Sequence, residues 1–440
     1  MYTSDVIRPS DSALIDALDR VPDSIRAVAE TLTAANHEAF LVGGCVRDRL
    51  LGRRVHDFDL ATSADPTQVL ELLPSAVPIG LRHGTVMVPT SDGPIDITRF
   101  RAGGGIEADL AHRDFTINAM AYEITSRKLF DPFGGLDDLH AGRLRAVGSA
   151  SDRFEEDPLR GLRAARLVAT LELELDPEIE PALVISRERL RAVARERIRG
   201  EFERLLLGRH AERGLALLER SNIASDLFGE LRPDAVAVVA ALPQDLELRL
   251  AGWLRGVTAE RVLARLRFPR RTAKRVGHLL DHHPIGAGLN PKRDAAIRRL
   301  MRQVAADDIA LLDTLRRVEI DVAGGPEAAA EHAKLDALTA AVERVQRAGA
   351  LALRRFDLAL DGREVMQILD CGPGRKVGLA LRHLTEAVIE EPSRNTPSEL
   401  RRLLAAWVEC DDAGSCQEHE TRSVSPDAAE APAAKRPKRS

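Results

Sequence analysis

The stretch Leu41-Val-Gly-Gly-Cys-Val-Arg-Asp-Arg-Leu-Leu-Gly52, followed closely by Asp57-Phe-Asp59, constrains this chain more than any other. The apolar run from Ala39 to Val42 reads as a short buried strand. Gly43 and Gly44 let the backbone approach an anion closely, with no Cβ in the way. The residues after them read as a helix, whose first turn offers free N–H groups and the positive end of a dipole. Arg47 falls on that turn, where a guanidinium can fork onto a phosphate. Asp57 to Thr62 reads as a second strand, and strand alternation puts Asp57 and Asp59 on one face. Two neighbouring carboxylates repel each other unless a cation lies between them. Mg²⁺ suits them, because it takes oxygen ligands and keeps waters or substrate phosphates in its shell. Asp-x-Asp alone also describes a solvated strand face. The glycine turn and Arg47 in the same strand–helix–strand unit are what point to a phosphate–metal site.

A third carboxylate is the next requirement of such a site. Gly84 to Pro89 and Pro94 to Phe100 read as two strands of a hairpin turning at Ser91-Asp-Gly93. Asp96 lies between Ile95 and Ile97 and so faces away from both. With the isoleucines in the core, Asp96 points to the side available to Asp57 and Asp59. An exposed strand residue is the alternative.

The chain has 440 residues, 44% of them hydrophobic, which sets a globular class with several domains or subdomains. No apolar run is long enough for a membrane span, and the N-terminus shows no secretory pattern. Cys45, Cys371, Cys410 and Cys416 are widely spaced, with no metal-binding arrangement, and read as free thiols in a reducing cytoplasm. The net charge of −5 argues weakly against nucleic acid, although clustered basic groups matter more than the total. With 3% aromatic residues, stacking platforms for single strands are not expected, so RNA recognition would rest on backbone charge and shape.

Along the chain, residues 1–38 carry one amphipathic pattern, from Pro22 to Ala35. Residues 39–148 mix strands and helices. From about Phe154 strand signals nearly vanish, and Leu/Ala/Arg/Glu segments of helical period run to about Val408. The predicted class is therefore α+β, a mixed-sheet head followed by a helical body. Residues 412–440 read as a disordered tail with a basic end.

A second constellation follows the head. Arg113-Asp-Phe-Thr-Ile-Asn-Ala-Met-Ala-Tyr122 reads as a helix start with Asp114 in its first turn. In Glu156-Asp-Pro-Leu-Arg-Gly-Leu-Arg-Ala-Ala-Arg166, Pro158 marks a helix N-terminus. Asp157, Arg160, Arg163 and Arg166 recur at every third position, so successive members share a face. Such residues can accept from and donate to a nucleobase edge, or form an ordinary helical ion-pair ladder.

These motifs, in this order, resemble the class II tRNA nucleotidyltransferases, comprising the CCA-adding enzymes and their bacterial poly(A) polymerase relatives. The resemblance also takes in Asp131 to Gly135, Glu196 to Leu206 and, more weakly, Leu360 to Met366, Pro373-Gly374 and Asn395-Thr396. It implies a catalytic head at residues 39–148, a helical neck at 149–215 that recognises the base, a body at 216–340 and a tRNA-binding tail at 341–411. It implies that Gly44 and Arg47 contact nucleotide phosphates, with Arg113 matching the second arginine of the family's Arg-Arg-Asp element. Asp57 and Asp59 are implied as Mg²⁺ ligands, with Asp96 as the third catalytic carboxylate. Asp157 and Arg160 are implied as the protein template for the base, with Arg163 and Arg166 as further nucleotide contacts. The implied partners are CTP, ATP and the tRNA acceptor end, without a membrane. His112 departs from the family at the first arginine of its element. The short Arg99–Arg113 connection departs more, since many members carry a longer, flexible loop there whose loss is associated with enzymes that add only the two cytidines. CC addition and full CCA addition both stay open here, beside poly(A) synthesis and a non-catalytic RNA-binding role.

Overall fold

The computed structural model describes residues 12–55, 57–80, 84–101, 104–349 and 357–412. These divide into two compact units after Asp281, with Asp321–Ala323 joining the first. The expected C-terminal tail lies outside the described residues, apart from Asp412.

The first unit opens with two helices where the sequence pattern indicated one: α1 (Ser12–Asp19) and α2 (Asp23–Ala34). Ile25, Val28, Ala29 and Leu32 form the buried stripe of α2 at helical spacing. Then follow β1 (Ala39–Val42), α3 (Gly44–Leu50), β2 (Phe58–Thr62), α4 (Pro66–Leu72), β3 (Val77–Gly80), β4 (Thr85–Thr90), β5 (Gly93–Arg99), α5 (Gly105–Ala111), β6 (Ala121–Glu123) and β7 (Lys128–Phe130). All seven strands form one sheet in the order β3-β4-β5-β2-β1-β6-β7. Only β2 and β5 are parallel, so the sheet is mixed, as predicted. Their register sets Asp59 directly beside Asp96. Phe40, Val42 and Ala61 pack with Ile106 and Leu110 of α5. By strand alternation Asp59 shares its face with Ala61, while Ile95 and Ile97 are buried on the face opposite Asp96.

The predicted helix at Arg113–Tyr122 does not form. A single 3-10 turn, Thr116–Asn118, leads directly into β6. Long-range pairing overrides the local pattern. Phe115 bridges Ala146, the Thr116 amide donates to the Arg145 carbonyl at 2.9 Å, and β6 is held between β1 and β7. The Thr116 hydroxyl also donates to Asp138 at 2.7 Å.

The rest of the unit is α6 (Gly135–His140), β8 (Arg143–Leu144), α7 (Ala150–Glu156), α8 (Leu159–Leu171), β9 (Glu174–Leu175), α9 (Ile179–Arg189), α10 (Arg195–Leu206) and α11 (Ala211–Arg220), with further short helices up to Arg270–Asp281. β8 and β9 form a two-residue parallel ladder, a small exception to the helical character expected after Phe154. Pro181 lies in the first turn of α9, where its missing N–H leaves no bond unmade. The second unit is helical, and one of its cores includes Leu360, Val365, Leu384, Leu400 and Leu404.

Buried charge ties α8 to both its neighbours. Arg163 of α8 donates to Asp114 at 2.8 Å and to Glu201 of α10 at 3.2 Å, while Arg166 donates to the other Glu201 oxygen at 2.5 Å. Asp114 also accepts from the Phe115 amide at 2.8 Å and the Asn118 side chain at 3.0 Å. Burial alone would raise the Asp114 carboxyl, but Arg163, Asn118 and the Phe115 amide outweigh it and hold it at about 2.

Two outcomes follow from this packing. Gly161 of α8 meets α9 so closely that a Cβ would lie 2.2 Å from Ser186 Oγ. Gly161→Ala therefore lowers stability by about 1–3 kcal/mol, the usual effect of overpacking, read from urea unfolding. Asp114 has a folded-state value below its ordinary 3.8, so its charge stabilises the fold above about pH 4, and that contribution fades as pH falls toward 2. Asp114→Asn accordingly lowers stability by about 2 kcal/mol at neutral pH. Its deficit against the wild type shrinks between pH 4 and pH 2, and a deficit independent of pH would contradict this assignment.

Candidate active site

Gly43 leaves β1 with a φ of 76°, a conformation that favours glycine. A Cβ there would lie 2.8 Å from an Arg113 guanidinium nitrogen and 3.9 Å from an Asp59 carboxylate oxygen. The missing side chain thus lets a cation and an anion close on the same piece of backbone. Around this point opens a cleft of about 420 Å³ whose lining includes Gly43, Gly44, Arg47, Asp57, Asp59, Arg113, Arg163 and Arg166. That volume is within the range of small-molecule sites. Seven of the residues selected from sequence, all of these but Gly43, therefore share one cleft. Asp96 is not among its lining residues, but lies next to Asp59 on the adjoining parallel strand.

Carboxylate crowding dominates the head side of the cleft. Asp59 touches solvent from a recess closely surrounded by protein. Burial pushes its carboxyl up to about 6, Arg113 pulls it down, and Asp96 and Asp57 push it further up. Asp96 is raised as well, by burial and by Asp57. Crowded carboxylates that resist ionising are hard oxygen donors favoured by a divalent cation. Among the described residues, no group of three or more His, Cys, Asp or Glu is already gathered to hold a metal ion. An ion of the Mg²⁺ kind needs only one or two protein carboxylates, since waters and phosphates complete its shell. Asp57 and Asp59 on the cleft wall, with Asp96 alongside, fit that requirement. Cys45 is buried against the carbonyls of Asp59 and of Val42 in β1; burial pushes its thiol to about 11, which makes it inert as a nucleophile.

The arginines are more heavily engaged than the sequence suggested. Arg47 was expected to be free to fork onto a phosphate. It is buried, with its guanidinium on Asp48 at 2.8 Å and on the Asn118 side-chain oxygen at 2.6 Å. Arg113 is held by Asp109 at 3.3 Å. Arg163 and Arg166 are held in the Asp114–Glu201 network.

Asp157 and Arg160 stand apart from the cleft, and Asp157 is not on the helix of the three arginines. It caps the end of α7 and its carboxylate receives the Leu159 amide at 3.1 Å, so the supposed four-residue ladder begins one turn later. Arg197 holds Asp157 at 2.7 Å. Arg160 is buried, paired with Glu156 at 3.0 Å and donating to the His112 carbonyl at 2.8 Å. The His112 departure from the family thus meets Arg160 through backbone, which any residue supplies.

Sequence reading passed over Asn118, Glu201, Arg54 and Arg204, all on the cleft. Asn118 had one signal, an amide in the otherwise apolar run Ile117-Asn-Ala-Met120. Glu201 had a clearer one, a carboxylate within the buried stripe Ile198, Phe202 and Leu205 of α10. A buried carboxylate needs a partner, and its partners lie on α8.

Comparison with known proteins agrees with this geometry. Residues 39–145 match the family described as the Poly A polymerase head domain, and residues 172–234 match the one described as a probable RNA and SrmB-binding site of polymerase A. The chain is 41% identical over 215 residues to a CC-adding tRNA nucleotidyltransferase of Shouchella clausii, an alignment covering 49% of this chain and 56% of that enzyme. It is 31% identical over 412 residues to a CCA-adding enzyme of Lactiplantibacillus plantarum, covering 87% of this chain and 96% of that one. The crystal structure of the Bacillus stearothermophilus CCA-adding enzyme in complex with CTP superposes with a TM-score of 0.73 at 28% identity, covering 89% of this chain and 98% of that one. A sheet-borne carboxylate cleft and a sequence likeness running nearly the full length of a CCA-adding enzyme place the chain in the class II tRNA nucleotidyltransferase family.

Proposed function

We propose that this chain adds CMP, and then AMP, from CTP and ATP to the 3′ end of tRNA, releasing pyrophosphate and using no nucleic-acid template. The observation that carries the reading is the in-register Asp59–Asp96 pair beside a cleft lined by arginines. Asp57 and Asp59 would hold Mg²⁺, which when bound lowers the pKa of the attacking hydroxyl and neutralises phosphate charge. The tRNA 3′-hydroxyl attacks the α-phosphorus, and the bond to the pyrophosphate oxygen breaks. Asp96, set beside Asp59 by strand register, orients that hydroxyl and accepts its proton. Arg113, poised over Gly43, offsets negative charge next to Asp59. Gly44 and Arg47 shape the phosphate end. Asp157 and Arg160, with Arg163 and Arg166 on the helix behind them, would select the base. Poly(A) synthesis is not favoured, since the relatives matched over most of their length are CCA-adding enzymes. The neck, body and tail assigned from the family would hold the acceptor arm. The reaction belongs to the cytoplasm, and no described helix is long and apolar enough to cross a membrane.

A CC-only reading is supported by one feature. Most of the connection between Arg99 and Arg113 is α5, which buries Ile106, Asp109 and Leu110 instead of forming a long loop. Incubation of the purified chain with tRNA lacking its last three nucleotides, plus CTP and ATP, separates the readings by product length. We expect three added nucleotides ending in A. A product stopping at two cytidines assigns CC addition, a long homopolymer assigns poly(A) synthesis, and no incorporation assigns a binding role. In the same assay Asp59→Ala abolishes incorporation while leaving the far-ultraviolet spectrum unchanged, and full activity in that variant would remove the metal-site proposal.

A further inference from the structure

Six arginines line the cleft, but four of them already serve protein carboxylates. Arg47 holds Asp48, Arg113 holds Asp109, Arg163 holds Asp114, and Arg166 holds Glu201. Arg54 and Arg204 have no ion pair and no hydrogen bond from their side chains among the described residues. Both are exposed, and an exposed unpaired arginine by itself is ordinary. Two features set this pair apart. They reach the same cleft from different elements, Arg54 from the segment just before Asp57 and Arg204 from the last turn of α10. Arg204 also follows Glu201 by three positions, so it shares the helix face that fixes Arg163 and Arg166. A ligand bearing several phosphates needs cations whose charge is not already neutralised. Arg113, Arg163 and Arg166 would have to give up buried carboxylates first, and such buried pairs are expensive to break, while Arg47 is itself buried and held by Asp48 and Asn118. Arg54 and Arg204 have no such pair to give up among the described residues.

We infer that Arg204 and Arg54 are further polyphosphate-binding residues of this cleft, taking the β- and γ-phosphates of the incoming nucleotide beyond the end shaped by Gly44 and Arg47. The identity of that ligand as a nucleoside triphosphate rests on the transfer reading above; the polyphosphate chemistry rests on the unpaired guanidiniums, which fork onto phosphate oxygens. The test is calorimetric titration of the full chain, in magnesium buffer, with CTP, CMP and inorganic tripolyphosphate. Arg204→Ala weakens CTP and tripolyphosphate binding by about tenfold, Arg54→Ala weakens it in the same direction, and the double variant weakens it further. CMP, which lacks both terminal phosphates, binds all variants equally, and Arg204→Lys keeps part of the CTP affinity. Matched thermal melts exclude a folding defect. Unchanged CTP binding in the double variant, or an equal loss for CMP and CTP, overturns the inference. If the chain incorporates no nucleotide yet tripolyphosphate binding still depends on Arg204, the transfer reading fails and this one stands.

Discussion

Two buried carboxylates, Asp114 between α5 and β6 of the head and Glu201 on α10, face two arginines of α8. Taking such ions out of water costs several kcal/mol each, recovered only when geometry is good and every remaining lone pair and proton is met. Here they are nearly all met: Asp114 has the Phe115 amide and the Asn118 side chain besides Arg163, and Glu201 uses both oxygens. An arrangement with such demands tolerates little sliding. It fixes the rotation of α8 about its own axis, which in turn sets Arg163 and Arg166 on the cleft wall. The close approach of Gly161 to Ser186 fixes the same helix from its other side. Apolar packing alone would hold α8 near this place, but would specify its rotation less strictly.

The head side of the cleft is built on the opposite principle. Strand register sets Asp59 beside Asp96, Asp57 lies just before the same strand as Asp59, and their charges oppose one another, with Arg113 compensating at Asp59. The sheet holds them there through the buried isoleucines on the other face of β5 and the apolar residues beside Asp59 on β2. Folding energy drawn from the core maintains an electrostatic arrangement that is unfavourable until a cation arrives. One wall of the cleft is thus satisfied internally, while the other is left in need of a ligand.

Which of these features could be read from the chain follows from how far apart the partners lie. The strand, glycine turn and helix of Ala39–Leu50, the hairpin of β4 and β5, and the direction of Asp96 depend on neighbouring residues and match the structure. The helix expected at Arg113–Tyr122 depended on the same local pattern and was wrong, because the backbone there pairs with Ala146, Arg145 and two strands. Arginine spacing on α8 was legible; what those arginines hold was not, since Asp114 and Glu201 lie 49 and 38 positions from Arg163. Sequence periodicity shows which face a side chain takes. It does not show whether that side chain is already occupied.

Occupancy bears directly on base choice. Asp157 and Arg160, proposed to read the base, already hold Arg197, Glu156 and the His112 carbonyl. A base that engages them exchanges one set of charge-assisted hydrogen bonds for another, so only the difference counts toward affinity. The correct base replaces what it displaces. A base with the wrong donor pattern displaces the same partners and leaves a charged group unmatched, a penalty larger than the gain from any single contact. Pre-engaged recognition residues therefore trade affinity for discrimination. That trade suits an enzyme whose nucleotide affinity can come from phosphate contacts in the cleft itself, apart from these two residues, where every nucleoside triphosphate looks alike.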